Sequence, residues 1–387
     1  MVNQLLYETA SAFTDKEGNS GNVTSIKPGV AYVLENDNVG YNKTYDTLTV
    51  VYRVTDISTA VKLYNSNNVK TNLKEVYIDK TLVQPSALTS TYRFEKAGLH
   101  KVLYRYSSIT SIPDSAFTEC TSITRVKMPN SITIVGKHSF RNCSSLKKIN
   151  LHSKLVKLDD YAFQYCTSLS GTVTVPASVT YVGTFLFGYC SNITDLIFET
   201  TATVGNLAFS WSGKSSLGTL YIGGDLGAPD YNGGHPARYK RVIIKGNVNM
   251  GTSARQYISS STSKVQELRV GGNLNGTNST QNIVLGSGAC VKFCELMGSF
   301  TGVAKLVQNN NTLASGAILH LGNTEIAGTP TLAQASLSKF TKIYVGPGES
   351  QEGDEAVLAK YTADSAWSSY TNKLDIWYNY TGPYKEQ

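Results

Sequence analysis

Charge is scarce in this chain. Asp, Glu, Lys and Arg make up 16% of 387 residues, and the net charge of +7 is small for that length. Basic residues occur in nothing longer than pairs such as Lys147-Lys148. A nucleic-acid face needs a denser basic stripe, so no nucleic-acid partner is expected. Long apolar runs are missing as well, which argues against a membrane-spanning helix. The opening residues, Met1 to Glu8, have neither a basic nor an apolar stretch and do not read as a secretory leader. The five His residues are scattered, with none in a metal-ligand spacing, and the Cys residues at 120, 143, 166 and 190 have no close Cys neighbour. No G-x-S-x-G elbow occurs. Ala208-Phe209-Ser210-Trp211-Ser212-Gly213-Lys214-Ser215 fits a relaxed phosphate-loop pattern. That loop needs a strand before it and a helix starting at the Lys. Here a strand-like Leu217-x-x-Leu220 follows instead. No cofactor, no metal, no catalytic residue and no enzymatic activity are therefore expected.

What is present is a repeat. One phrase is written four times: Ala116-Phe117-x-x-Cys120, Ser139-Phe140-x-x-Cys143, Ala162-Phe163-x-x-Cys166 and Leu186-Phe187-x-x-Cys190. A period of about two dozen residues signals a solenoid. In the first unit, Pro113-Asp114 turns the chain and Ser115 to Cys120 suits one helical turn. Ile123-x-x-Val126-x-Met128 then alternates as a strand, and Pro129-Asn130-Ser131 closes it. The third unit has Gly171 as an extra residue. Each Phe is expected to plug the interior, and the small residue before it to let adjacent turns approach. Such a unit cannot bury its apolar face alone and must stack on its neighbours. The Cys residues admit zinc binding, disulfides between neighbouring turns, or use as small buried hydrophobes; the last is the expectation.

The strand half of the phrase persists beyond residue 202. Middle positions 126, 149, 173, 196, 220, 242, 268, 294, 319 and 343 recur at 22 to 26 residues. Glycines follow several of these strands, at Gly223-Gly224, Gly246, Gly271-Gly272, Gly298, Gly322 and Gly346, and suggest turns of positive φ. The expected architecture is mainly β. Residues 1–46 form an N-terminal arm and 47–106 a small separate β-domain. A leucine-rich-repeat solenoid follows over 107–346, with one parallel strand per 22–26-residue turn, regular to about 202. Residues 347–387 make a C-terminal cap, with a short helix over 356–361 and Tyr361, Trp367, Tyr370, Leu374, Ile376 and Trp377 covering the last turn.

By alternation, the outward side of the sheet carries Arg125, Lys127, Lys148, Asn150, Thr172, Thr174, Asp195, Ile197, Thr219, Tyr221, Arg241, Ile243, Glu267, Arg269, Phe293 and Glu295. It reads either as a binding face or as a solvated sheet. Its mixed sign suits a protein or glycan partner better than a polyanion.

The repeat resembles the BspA-like leucine-rich repeats of gut Bacteroidetes and their phages, on Ala116-Phe117, Cys120, Ser122-Ile123, Val126, Met128-Pro129, Ser131-Ile132 and Val135-Gly136. Residues 54–106 are similar to the β-rich segment that often precedes such repeats. Ile343-Tyr344-Val345 with Tyr361 and Trp367-Ser368-Ser369-Tyr370 resembles their closing strand and helix. The resemblance implies an interaction or adhesion role. Joined to the absent leader, it leads to the expectation of a non-enzymatic phage virion component: a head fibre, decoration or tail-associated subunit. Its N-terminal arm would anchor it to other virion proteins, as a homo-oligomer assembled in the host cytoplasm. The alternative is a bacterial cell-surface adhesin that binds host protein or glycan. A carbohydrate-binding module is a third reading.

Overall fold

The computed structural model describes residues 13–14, 20–21, 45–209, 212, 218–227, 239–250, 265–276, 283–285, 291–301, 305–307, 313–322 and 337–385. Two units are distinguished, Met1–Tyr45 and Asp46–Gln387. In the first, the strand Phe13–Thr14 pairs antiparallel with Ser20–Gly21; of the rest of the expected arm only residues 45 and 46 are described, and Asp46 already belongs to the first strand of the second unit. So do Gly213-Lys214-Ser215 of the phosphate-loop pattern.

Alternating apolar residues in Asp46–Val54, Leu73–Ile78 and Gly98–Tyr106 make an antiparallel meander. Leu73 and Leu99 share the spacing of the repeat strands but do not begin solenoid turns. Nor is the meander a separate domain. Asp46–Val54 pairs antiparallel with the first repeat strand, Ile123–Lys127, and that strand pairs parallel with Lys148–Ile149. One sheet therefore runs from meander into solenoid, because a strand edge left unpaired at the first turn would be a liability. Tyr52 and Tyr104 close that end of the interior. Their hydroxyls lie 3.2 Å apart, and the Tyr52 hydroxyl donates to the Leu63 carbonyl at 2.6 Å.

The repeat Phe residues stack as one buried column. Ring centroids of Phe117, Phe140, Phe163 and Phe187 are 5.2, 5.5 and 5.5 Å apart, with interplanar angles of 5°, 6° and 10°. The Cys residues form a second column and are free, buried thiols. Cys143, Cys166 and Cys190 each donate to the carbonyl of the Phe one turn back, at 3.1, 3.3 and 3.1 Å. Burial pushes the Cys120 and Cys190 thiols up to about 12. The expected small-hydrophobe role is thus joined by a hydrogen-bonding one.

The expected helical turn at Ser115–Cys120 does not form. Ser115 and Glu119 have φ of 56° and 61°, as do their counterparts His138 and Asn142, Tyr161 and Tyr165, and Phe185 and Tyr189, all within 52–62°. The backbone reversals let alternate amides reach the next turn: Ser115, Phe117 and Glu119 donate to the carbonyls of Lys137, Ser139 and Arg141 at 2.8, 2.7 and 2.8 Å. A helix would satisfy those donors within its own turn and leave the stack unbonded.

Among the described residues, a nine-stranded parallel sheet follows: Gly171–Val175, Ile193–Phe198, Thr219–Ile222, Arg241–Ile244, Glu267–Val270, Phe293–Leu296, Ile318–Leu321, Lys342–Val345 and Leu374–Ile376. The recurrent middle residues are register partners, from Val173 and Leu196 through Leu220, Val242, Leu268, Cys294 and Leu319 to Ile343. The extra residue Gly171 has φ of 78° and sits at a register shift. Of the glycines expected at positive φ, only Gly346 is. The others serve close stacking: a Cβ on Gly246, Gly272 or Gly298 would meet the backbone of the preceding turn at 2.5, 2.5 and 2.4 Å. Beside them, Asn247, Asn273 and Ser299 amides donate to the side-chain oxygens of Asp225, Asn247 and Asn273 at 2.7, 2.8 and 2.9 Å.

The cap is larger than expected. Its helix is Gln351–Ala363, capped by Ser350, whose hydroxyl accepts from the Gly353 amide. Tyr361 and Trp367 are buried edge to face at 4.8 Å. The strand Leu374–Ile376 then adds to the sheet. Among the described residues no helix is long and apolar enough to cross a membrane.

Candidate functional site

Strand register sets the outward residues in two rows. Thr172, Asp195, Thr219, Arg241, Glu267, Phe293 and Ile318 make one; Thr174, Ile197, Tyr221, Ile243, Arg269, Glu295, His320 and Tyr344 the other. Neighbouring strands in a sheet lie about 4.8 Å apart, so the rows are rigid rulers. Arg125, Lys127, Lys148 and Asn150 are exposed on the earlier strands; Thr172 is exposed, and Thr174, Asp195, Ile197, Thr219 and Tyr221 are half-buried. Arg125, Lys127 and Lys148 are not on the nine-stranded sheet but on the sheet that joins the repeat to the meander, and Asn150 follows its last strand.

The later residues depart from the expected open face. Glu267 and Arg269 are only 6% and 8% exposed, and Phe293 is buried. What covers them is the end of the chain. Trp377 leaves the last strand and stacks on His320 at 3.8 Å and 10°, instead of covering the last turn as expected. Tyr380 stacks on Trp377 at 4.5 Å, and Tyr384 stacks on Phe293 at 4.6 Å and 11°. Arg269 Nη2 donates to the Tyr384 carbonyl. Lys385 Nζ donates to the Tyr378 carbonyl at 2.5 Å.

Beneath this segment runs a chain of ion pairs. Arg241 Nε and Arg269 Nε both donate to Glu267 at 2.8 Å. Arg269 Nη1 reaches Glu295 at 3.4 Å, and His320 Nδ1 lies 2.9 Å from the same carboxylate. His320 Nε2 is 2.8 Å from the Gly346 carbonyl. Burial works to raise the Glu295 carboxyl, but its bonds to His320 and Arg269 outweigh that and hold it below its ordinary range. Charges this buried persist only when each is paired. Sequence alternation placed these residues on the right face but gave no sign that they would be covered. The one available signal was the aromatic density of Trp377, Tyr378, Tyr380 and Tyr384 after the last strand.

Two clefts, each of about 330 Å³, flank the segment where it crosses the sheet. One lies beside Tyr384 with Lys240, Arg241 and Lys292; the other beside Trp377 with Lys245, Met297 and Lys385. Among the described residues no three His, Cys, Asp or Glu side chains are placed to hold a metal. A further surface is built on the positive-φ positions: His138 lies tilted on Tyr161 at 4.9 Å, Tyr161 stacks on Phe185 at 5.5 Å, and Tyr165 on Tyr189 at 4.5 Å.

The buried Phe and Cys columns and the parallel strands make this a repeat solenoid with an outward sheet face. Residues 89–215 match the family model of the BspA type leucine rich repeat region in six copies, a wider span than the four phrases mark. The chain is similar to the crystal structure of a T. pallidum leucine-rich-repeat protein, with 21% identity over 48% of this chain and 67% of that one, at a TM-score of 0.27. It is similar to a leucine-rich-repeat protein from Bacteroides ovatus, with 15% identity over 63% of this chain and 60% of the other, at a TM-score of 0.30. A leucine-rich cell surface protein from Faecalibacterium prausnitzii gives 15% identity over 66% and 86%, at a TM-score of 0.24. No curated protein matches.

Proposed function

We propose that the protein is a non-enzymatic interaction protein of the adhesion type, whose outward sheet face binds a partner protein. The observation behind this reading is the C-terminal segment. The sheet face already holds a stretch of peptide through ring stacking and an arginine-to-carbonyl bond. The same two rows continue through Thr172, Thr174, Asp195, Ile197, Thr219 and Tyr221, and among the described residues no aromatic side chain of the C-terminal segment stacks on them. Apolar Ile197 and Tyr221 sit among short polar side chains, the mixture of anchor and polar rim that protein interfaces use. Display at a bacterial surface suits the role. The virion reading drew on the absent leader, the arm and the resemblance; the arm, residues 1–46, lies almost wholly outside the described residues, and the proposal does not include that reading.

The test is saturable binding of the purified chain to intact host cells and to immobilised host surface proteins, compared with an Ile197→Asp/Tyr221→Asp variant. Loss of binding in the variant, with unchanged thermal unfolding, is the expected result. Equal binding by the variant, or none by the unmodified chain, refutes the reading.

A further inference from the structure

We infer that the cleft beside Tyr384 binds an acidic sugar, a carboxylate-bearing residue of a glycan. This goes beyond the interaction reading: it adds a second class of ligand at a different part of the face.

The cleft of about 330 Å³ is of the size that holds a small ligand. Its floor comes from residues one step ahead of three successive strands. The Gln266 amide donates to the Lys240 carbonyl, and the Lys292 amide to the Gln266 carbonyl, both at 2.8 Å. Lys240 and Lys292 therefore stand two strand steps apart, roughly 10 Å, with the Gln266 amide between them. Both lysines are exposed, and neither has an ion pair among the described residues. Arg241 adds a third cation. Its side chain is 53% exposed and spends Nε on Glu267, while its terminal nitrogens face no described partner. Glu267 does not oppose an anion freely, because it also accepts from Arg269. Three cations gathered on a chain of low charge density focus a positive field into the cleft.

Tyr384 supplies the other half of the chemistry. Phe293 stacks on one side of its ring and fixes it, and Tyr384 lines the cleft. A held aromatic ring suits the C–H face of a sugar; the lysines and Arg241 suit its carboxylate, and Gln266 its hydroxyls. An acidic peptide fits less well: it brings carboxylates but no flat C–H face for the Tyr384 ring, and no strand edge is open to it here, since Arg241–Ile244 and Glu267–Val270 are paired on both sides.

Titration calorimetry on the full chain uses sialyllactose and an oligoglucuronate as probes, with lactose, a neutral oligosaccharide and poly-glutamate as comparators. At least one acidic sugar is expected to bind about tenfold or more tighter than its neutral counterpart, and less tightly as salt is raised. Lys240→Glu/Lys292→Glu is expected to weaken it by about tenfold or more, both residues being exposed and outside the core. Equal binding of neutral sugars, unchanged binding by that variant, binding of poly-glutamate alone, or no binding of any probe overturns the inference. Ile197→Asp/Tyr221→Asp is expected to keep acidic-sugar binding while losing the partner. The reverse pattern, partner binding retained without acidic-sugar binding, sinks the cleft assignment and spares the interaction reading.

Discussion

Phe140→Ala tests the stacking principle directly. Phe140 is fully buried, with Phe117 at 5.2 Å on one side and Phe163 at 5.5 Å on the other. Truncating a buried Phe to Ala costs about 3–5 kcal/mol, depending on how far the cavity collapses. Collapse here is limited, because both flanking turns are pinned by amide bonds: Phe117 to Ser139 at 2.7 Å and Phe140 to Ala162 at 2.8 Å. The upper part of that range is therefore expected. With a urea slope of about 2 kcal/mol/M, the unfolding midpoint falls by roughly 2 M. Phe140→Leu retains most of the volume and is expected to cost under about 1.5 kcal/mol. The damage should also be local, since each turn contacts only its neighbours. Amide exchange is expected to accelerate over 109–190 and much less over 293–345. An alanine cost below about 1 kcal/mol, a leucine variant as costly as the alanine one, or uniform acceleration along the chain refutes the reasoning.

Three further outcomes are expected. Gly272→Ala would put a Cβ 2.5 Å from the Gly246 backbone and should lower stability by about 1–3 kcal/mol, whereas Gly205→Ala meets nothing within 4 Å and should be near neutral in the same thermal scan. Burial raises the Cys190 thiol from 9.0 to about 12, so its neutral form is favoured in the fold. That contribution is whole below pH 9 and is lost as pH rises towards 12; the urea midpoint should hold to pH 9 and fall by pH 11, with no native thiol titration at pH 8. Arg269→Ala leaves Glu267 and Glu295 without their shared partner and should cost about 3–5 kcal/mol, read as a lower midpoint, together with new dye binding as Tyr384 leaves Phe293. An Arg269→Ala midpoint within error of the unmodified chain would show that the segment is not held by this charge.

The repeat could be recognised from side chains alone because its units are nearly identical and each side chain's fate depends on its place in the unit. Phe117, Cys120 and Val126 have inward-facing counterparts in each of the four phrases, and the Val126 position recurs beyond them, so period by itself specified the interior columns and the strand register out to Ile343. Backbone conformation was not legible in the same way. Ser115 and Glu119 have nothing in their identity that demands positive φ, and only the carbonyls of the adjoining turn, which their amides must reach, require it. The glycines misled for the matching reason: Gly272 is small because another turn lies against it, not because its own φ needs freedom. The greatest divergence came at the outward rows. Alternation tells which face a side chain occupies but not what lies over that face. Whether Arg269 meets water or Tyr384 depends on where a segment more than a hundred residues later comes to rest, and only three-dimensional packing decides that.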